Sequence, residues 1–366
     1  MKSLMVKKKL PNNLEDNRNQ IDLIDERILN LISDRSELVI NAGKIKKKSG
    51  NKTFYRPDRE AKLIKNLLNK NKSSIPSNKI KNIFKEIISA CFTLEKKIKV
   101  HFLGPKGTFS EIATIQHFGS SVEKIESSNI TEIFNEVAKD DNSYGVVPIE
   151  NSIEGIVNQS LDSLMQSNLK ICSELELKIE HCLISSEKNI NKIKSVYAHP
   201  QALAQCRNWL QRKLPKVKII ETDSSAKAAQ LVKNKIGKSC IGSKKIGEIY
   251  NLNILQSKIQ DQAGNTTRFL VIGNEYPEKS FQDKTSICLS LKNEQGALYK
   301  VLQILNKNRV NLTNILSRPV KNNKWQYSFF LEFQGHASDK NIVNLFKELE
   351  KVSQDLQILG SYPKAY

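Results

Sequence analysis

At Lys99 the hydrophobic period of this chain changes, and no other feature limits its fold as strongly. Before that point apolar residues recur only at three- and four-residue spacing. Ile21, Ile24, Ile28, Leu31, Ile32, Leu38, Val39, Ala42 and Ile45 form one stripe, and Ile80, Ile83, Phe84, Ile87, Ile88 and Cys91 form another. Ser49-Gly50-Asn51 ends the first stripe, a second helix runs from Pro57 to about Asn69, and the Ser73-Ser74-Ile75-Pro76 turn opens a third. Residues 14–97 carry no strand signal and read as a three-helix unit. Its first helix is too long for two short ones to cover, so a partner chain is implied.

Beyond Lys99 short apolar runs (Val100–Leu103, Tyr144–Ile149, Cys182–Ile184, Ser195–Ala198, Lys218–Ile220) alternate with helical patterns such as Gln201–Gln211 and Ser225–Lys235. That texture is α/β and predicts a mostly parallel sheet as far as about Gly273. A polar linker, Asn274 to Lys284 with Pro277, follows. The remainder reads strand (Thr285–Leu291), helix (Gly296–Asn308), strand (Asn311–Pro319), strand (Trp325–Gly335), helix (Ser338–Val352) and strand (Leu356–Tyr362). This βαββαβ order is a ferredoxin-like α+β module. The expected divisions are an all-α domain over 1–97, an α/β domain over 98–274 and the α+β module over 285–366.

No apolar run approaches the ~20 residues that span a bilayer, and no apolar core follows the N-terminal lysines as in a secretory signal. Six scattered cysteines without a CxxC pair fit a reducing cytoplasm and no metal site. The 58 Lys and Arg against 38 Asp and Glu leave a net charge of +20, and residues 1–97 hold 23 of those cations against 11 acids. Most are lysines mixed with Asn and Ile, without zinc-finger spacing or an aromatic RNA-binding signature. They read as a solvated basic surface plus a site for anionic substrates; a nucleic-acid-binding regulator would rest on charge alone.

Four cations stand on or beside the apolar stripes: Arg18, Arg35, Lys46 and Arg59. Arg35 and Lys46 are almost three whole turns apart, so they share a face ~16 Å apart and can grip the two ends of one small dicarboxylate. Arg18 lies ~25 Å from Arg35 and is rotated off that face, where it could serve only a partner's site. In the α/β segment four clusters follow or separate strands, where open sheets place ligand loops. They are Gly104-Pro105-Lys106-Gly107-Thr108-Phe109-Ser110, Val147-Pro148-Ile149-Glu150-Asn151-Ser152, His199-Pro200-Gln201 and Asn265-Thr266-Thr267-Arg268-Phe269. GPKG lacks the Lys-Ser/Thr of a phosphate loop, and Ser110 and Ser152 lack a His/Asp partner for hydrolase chemistry.

The helical segment resembles the all-helical chorismate mutases, through RNQIDLIDERILNLISDRSELV from Arg18, GKIK over 43–46 and YRPDREA over 55–61. The resemblance implies that Arg35, with Arg18 of the other protomer, holds chorismate's carboxylates. It assigns Lys46 and Glu95 to the ether oxygen as catalytic residues, and Arg59 with Glu60 to the ring-hydroxyl side. A pericyclic rearrangement needs no nucleophile, only a folded substrate and donors where the breaking C–O bond gains negative charge. Many members of that family carry an amide where this chain has Glu95, and a glutamate donates only when protonated.

GPKGTFS, VPIENS with Gly155 after it, HPQ with Gln205-Cys206 behind it, and TRF over 267–269 together resemble prephenate dehydratase across residues 99–273. The resemblance implies two lobes like a type II periplasmic binding protein, with prephenate between them. Thr267 would assist the departing hydroxyl, Arg268 would face an anionic group, and Thr108, Asn151, Ser152 and Phe269 would complete the site. The substrate ring is its own electron sink, so no cofactor is required. Gly296-Ala297-Leu298 and Ser317-Arg318-Pro319 resemble the effector-binding turns of the ACT domain, which implies a phenylalanine effector and a homodimer through the helical and ACT domains. The family has glutamate before Ser-Arg-Pro, and Leu316 stands there in this chain. A two-lobed solute-binding protein without catalysis would lack both the TRF cluster and the Arg35/Lys46/Arg59/Glu60 set.

Overall fold

The computed structural model describes residues 13–49, 55–319 and 327–365. Gly50, Asn51 and Trp325 of the expected boundaries, and the lysines of residues 1–12, lie outside them. The first helix, α1 (Leu14–Lys48), starts where the Asn13 side chain accepts the Asp16 N–H and ends on Lys46, Lys47 and Lys48, in keeping with the helix dipole. Then come α2 (Pro57–Lys70), opened by proline, and α3 (Ser77–Glu95). Thirty-five residues at ~1.5 Å each outreach both neighbours. Ile21, Ile24, Ile28, Leu31 and Leu38 therefore stay exposed on the single chain.

The first lobe contains β1 (Lys99–Leu103), α4 (Phe109–Phe118), β2 (Glu123–Ser127), α5 (Ile130–Ala138), β3 (Ser143–Asn151), β4 (Gly155–Ile156), α6 (Asn158–Gln166) and β5 (Lys170–Lys178). The second contains β6 (Cys182–Ser185), β7 (Ser195–Ala198), α7 (Pro200–Gln205), α8 (Arg207–Lys213), β8 (Lys218–Glu221), α9 (Ser225–Val232), β9 (Lys238–Gly242), α10 (Lys244–Tyr250) and β10 (Asn253–Ser257). The chain then recrosses as β11 (Thr266–Gly273), which inserts between β3 and β5 of the first lobe.

The expected mostly parallel sheet is corrected to two mixed sheets. In the first lobe β1 runs parallel to β2 and β3, and β11 is antiparallel to β3 and β5. The reason is the double crossing. β3 ends at the cleft with Asn151, and β11 enters from the cleft beside it with Thr267, so the two run in opposite senses. In the second lobe β7 is parallel to β8 and β9, and β6 is antiparallel to β9 and β10. The helix expected over Gln201–Gln211 is split at Cys206, because the Asp261 carboxylate accepts the Asn208 and Trp209 N–H groups at 2.8 Å each and starts a new helix there.

The C-terminal module is β12 (Asp283–Leu291), α11 (Ala297–Lys307), β13 (Leu312–Pro319), β14 (Tyr327–Gln334), α12 (Lys340–Leu349) and β15 (Asp355–Pro363). Its strand order β13-β14-β12-β15 is ferredoxin-like, and β15 meets β5 at Gly360 and Ile171, so one sheet runs from this module through the first lobe. The helical unit is docked as well. Tyr55 joins the core of the first lobe, with Phe118 and Tyr144 rings 5.0 Å away, and its hydroxyl lies 2.5 Å from His117 Nε2.

Candidate active sites

The first site is a cavity of about 290 Å³ between the three helices. Arg35 and Lys46 reach it from α1, Arg59 and Glu60 from α2 and Glu95 from α3, while Leu38, Val39, Ile88 and Phe92 supply apolar walls. The three-turn spacing of Arg35 and Lys46 thus delivers both to one ligand-sized space. Glu95 Oε1 stands 2.9 Å from Lys46 Nζ, an ion contact without hydrogen-bond alignment. Gly43 makes this approach possible, since a Cβ there would lie 2.6 Å from Glu95 Cγ. Among the described residues Arg35 Nη1 is buried without a hydrogen-bond partner. A buried cationic nitrogen in that condition is costly until an anion arrives. Burial raises the Glu60 pKa against the opposing pull of Lys85 and Lys81. Arg18 is exposed on α1 and lies outside this cavity.

The second site lies where β3, β11 and the second lobe meet. Asn151 Oδ1 accepts two backbone N–H groups, from Ile153 at 3.0 Å and Glu154 at 3.1 Å. Backbone N–H groups can only donate, so the amide is oriented with Nδ2 outward. There it donates to Thr267 Oγ1 at 2.9 Å and to Asn265 Oδ1 at 2.8 Å. Asn265 Nδ2 donates onward to Gln205 Oε1 at 3.0 Å, and Gln205 Nε2 donates to Glu154 Oε1 at 2.7 Å. Because the Gln205 oxygen also meets His181 Nε2 at 2.9 Å, that nitrogen carries the proton, and the buried Nδ1 is a bare acceptor. Gln201 of α7 bonds Glu154 too, so a loop of the first lobe is tied to the second.

The structure brings Asn151, Ser152 and Thr267 together. The Ser152 hydroxyl accepts the Thr266 N–H at 3.0 Å. Thr108 sits at the start of α4, where its hydroxyl donates to the Leu103 carbonyl at 3.0 Å and so braces the turn. Two expectations need correction. Strand alternation turns Arg268 to the opposite face from Thr267, where it pairs with Glu174 and Glu332, so it does not face a substrate anion. Phe269 is 2% exposed and belongs to the core of the first lobe, so its ring is packed in protein and is not a wall of an open site. His181 and Glu154 were not legible as site residues. Gln205 and Asn265 lay inside the quoted motifs but carried no assigned role.

In the C-terminal module Gly296 has φ +80°, caps α11 and faces open space. Ala297 and Leu298 pack on the core beneath the helices, and Ser317 is exposed. Pro319 ends β13 opposite Tyr327. Arg318 differs from the expectation of an effector contact. Its Nε and Nη2 reach Asp162 Oδ1 at 3.1 and 2.7 Å and its Nη1 reaches Asn158 at 2.9 Å, binding β13 to α6.

A family model for chorismate mutase type II matches residues 17–96, and one for prephenate dehydratase matches residues 100–277. The bifunctional chorismate mutase/prephenate dehydratase of Aquifex aeolicus is 42% identical over 96% of this chain and 98% of its own length. The chain belongs to the bifunctional chorismate mutase/prephenate dehydratase family. Members from Pseudomonas aeruginosa and Escherichia coli K12 are 39% and 32% identical, over 95% and 94% of this chain and 97% and 95% of theirs. A prephenate dehydratase of Arthrobacter aurescens in complex with L-Phe superposes with TM-score 0.67 at 30% identity, covering 73% of this chain and 90% of that one. The Staphylococcus aureus enzyme gives 0.64 at 30% identity, over 72% and 100%. This family member is therefore an enzyme with a mutase and a dehydratase region.

Burial lowers the pKa of His181 and, further, that of His117 below the ordinary 6.5. The folded enzyme keeps both rings neutral where the unfolded chain begins to bind protons. Stability present above pH 6.5 is therefore lost progressively as pH falls below it. The thermal midpoint should drop between pH 7 and about 5.5. A flat midpoint over that window would contradict the assignment.

Proposed function

We propose that residues 1–97 rearrange chorismate to prephenate, that residues 98–274 convert prephenate to phenylpyruvate, and that residues 285–366 form an ACT module that senses phenylalanine. In the helical cavity Arg35 receives a substrate carboxylate and Lys46 supports the ether oxygen, each charge-assisted bond contributing roughly 1.5–3 kcal/mol. Arg59 and Glu60 take the ring-hydroxyl side. Glu95 must exchange its contact with Lys46 for one to the ether oxygen, and it donates there only when protonated. Glu95→Gln supplies a permanent donor, so mutase turnover in the variant should exceed that of the parent. Equal turnover in the two proteins would remove Glu95 from the mechanism.

The dehydratase reading is carried by the orientation of Asn151. Because its amide donates to Thr267 Oγ1, the Thr267 hydroxyl proton remains available for the departing ring oxygen. The C–CO₂ bond electrons enter the ring, the 4-hydroxyl leaves with help from Thr267, and aromatisation drives the step. Ser152 and Thr108 hold the neighbouring loops, and Asn265, Gln205 and His181 keep the amide network in register.

The uncovered apolar stripe of α1 and the free edge of β13 support a homodimer in which Arg18 reaches the partner's mutase cavity. The six cysteines are free and buried, which fits a reducing cytoplasm. For feedback, the positive-φ Gly296 and the first turn of α11 receive the effector carboxylate, with Ala297, Leu298, Ser317 and Pro319 around it. Leu316 gives the effector ammonium no acceptor and instead packs on the Phe330 side of β14. Phenylalanine should therefore bind but inhibit weakly, because control needs preferential binding to the inhibited state. Dehydratase rate against phenylalanine should show stronger inhibition in Leu316→Glu. Tight inhibition of the parent chain would show that position 316 is dispensable.

A further inference from the structure

A buried ion cluster lies one residue from Thr267. Glu332 holds Arg268 bidentately, with Nη1 to Oε2 at 2.7 Å and Nη2 to Oε1 at 2.6 Å, and Arg268 Nε donates to Glu174 Oε2 at 2.8 Å. Lys284 Nζ donates to the same Glu174 oxygen at 2.9 Å, and the Ser286 and Tyr362 hydroxyls each donate to Glu332 Oε1 at 3.1 Å. The side chains of Glu332 and Glu174 are 1% and 2% exposed. Two cations meet two carboxylates, so the cluster is neutral. Apolar residues would glue two surfaces together at least as well as ions this dry, so what the cluster adds is fixed geometry.

Lys284, Ser286, Glu332 and Tyr362 come from β12, β14 and β15 of the C-terminal module, whereas Arg268 belongs to β11 of the first lobe. The ladder between β11 and β3 shifts register between Arg268 and Phe269, while β5 pairs regularly with Thr266 to Val271, so regular pairing holds the start of β11 on one side only. We infer that Arg268 and Glu332 are positioning residues for the dehydration step: the C-terminal module grips Arg268 and thereby sets where Thr267 Oγ1 stands against Asn151. The C-terminal module is then part of the dehydratase architecture. This rests on Thr267 being the donor.

The test uses the full chain with prephenate as substrate, and compares the parent with Arg268→Gln/Glu332→Gln. That double variant leaves Glu174 paired with Lys284 and strands no charge. Its kcat should fall roughly 10- to 100-fold, the scale of a small misplacement of a reacting group, with KM little changed and with parental mutase turnover and thermal midpoint. Because the two residues act as a unit, Glu332→Gln alone should lose about as much. An unchanged kcat in the folded double variant overturns the inference. So does a raised KM with kcat preserved, which would make Arg268 a substrate ligand. If the double variant does not fold, Arg268→Lys keeps the charge without the fork, and the same kcat loss is expected. Thr267→Ala run in parallel separates the two claims. Full dehydratase activity in Thr267→Ala defeats the donor reading, while loss there with an unaffected double variant defeats only the positioning claim.

Discussion

Thr267→Ala should lose phenylpyruvate formation by roughly 100- to 10,000-fold in kcat, the usual contribution of a positioned proton donor. Prephenate made from chorismate should accumulate meanwhile. Thr267 is buried at the cleft end of β11, and its partner Asn151 would be left with one amide hydrogen unpaired. The substitution removes one hydroxyl and one methyl group from the first lobe and touches nothing in the helical cavity. The check is single-turnover product analysis of the variant supplied with chorismate. Parallel loss of both activities in a folded protein would contradict two separate sites.

Lys46→Ala should produce the converse result. Removing a preorganised charge from the developing oxyanion costs roughly 100- to 1,000-fold. The loss is compounded here, because Glu95 stands 2.9 Å from Lys46 and would remain in the cavity without that cation. Added prephenate should still be converted at the parental rate. The measurement is the pair of rates, chorismate consumption and prephenate conversion, on one preparation. Normal mutase turnover in Lys46→Ala would take this lysine out of the mechanism.

How much of this could be read from residues alone depended on range. The three helices, the shared face of Arg35 and Lys46, and the βαββαβ order follow local periodicity, Arg59, Glu60 and Glu95 were assigned to the site by the family resemblance, and the structure has all five side chains lining one cavity. The resemblance of the motifs also singled out Thr267 and Asn151, but not that they are bonded, since 116 residues separate them. Arg268 shows the limit most clearly. Alternation along a strand tells that Arg268 and Thr267 point to opposite faces, yet only the tertiary fold supplies Glu332 on the far side. His181 had no motif around it, and its role came from a 2.9 Å contact with Gln205, 24 residues away in the chain. Tyr55 read as part of a helical motif, whereas its ring is buried among Phe118 and Tyr144 of the first lobe. That contact joins two domains the sequence had treated as independent.

The most direct test of the central claim is a time course of the purified chain with chorismate as the sole substrate, following prephenate and phenylpyruvate together. The account predicts that prephenate appears first and is then consumed as phenylpyruvate rises, without added metal or cofactor. A chain that releases neither product, or that stops at prephenate when Thr267 is intact, would contradict it.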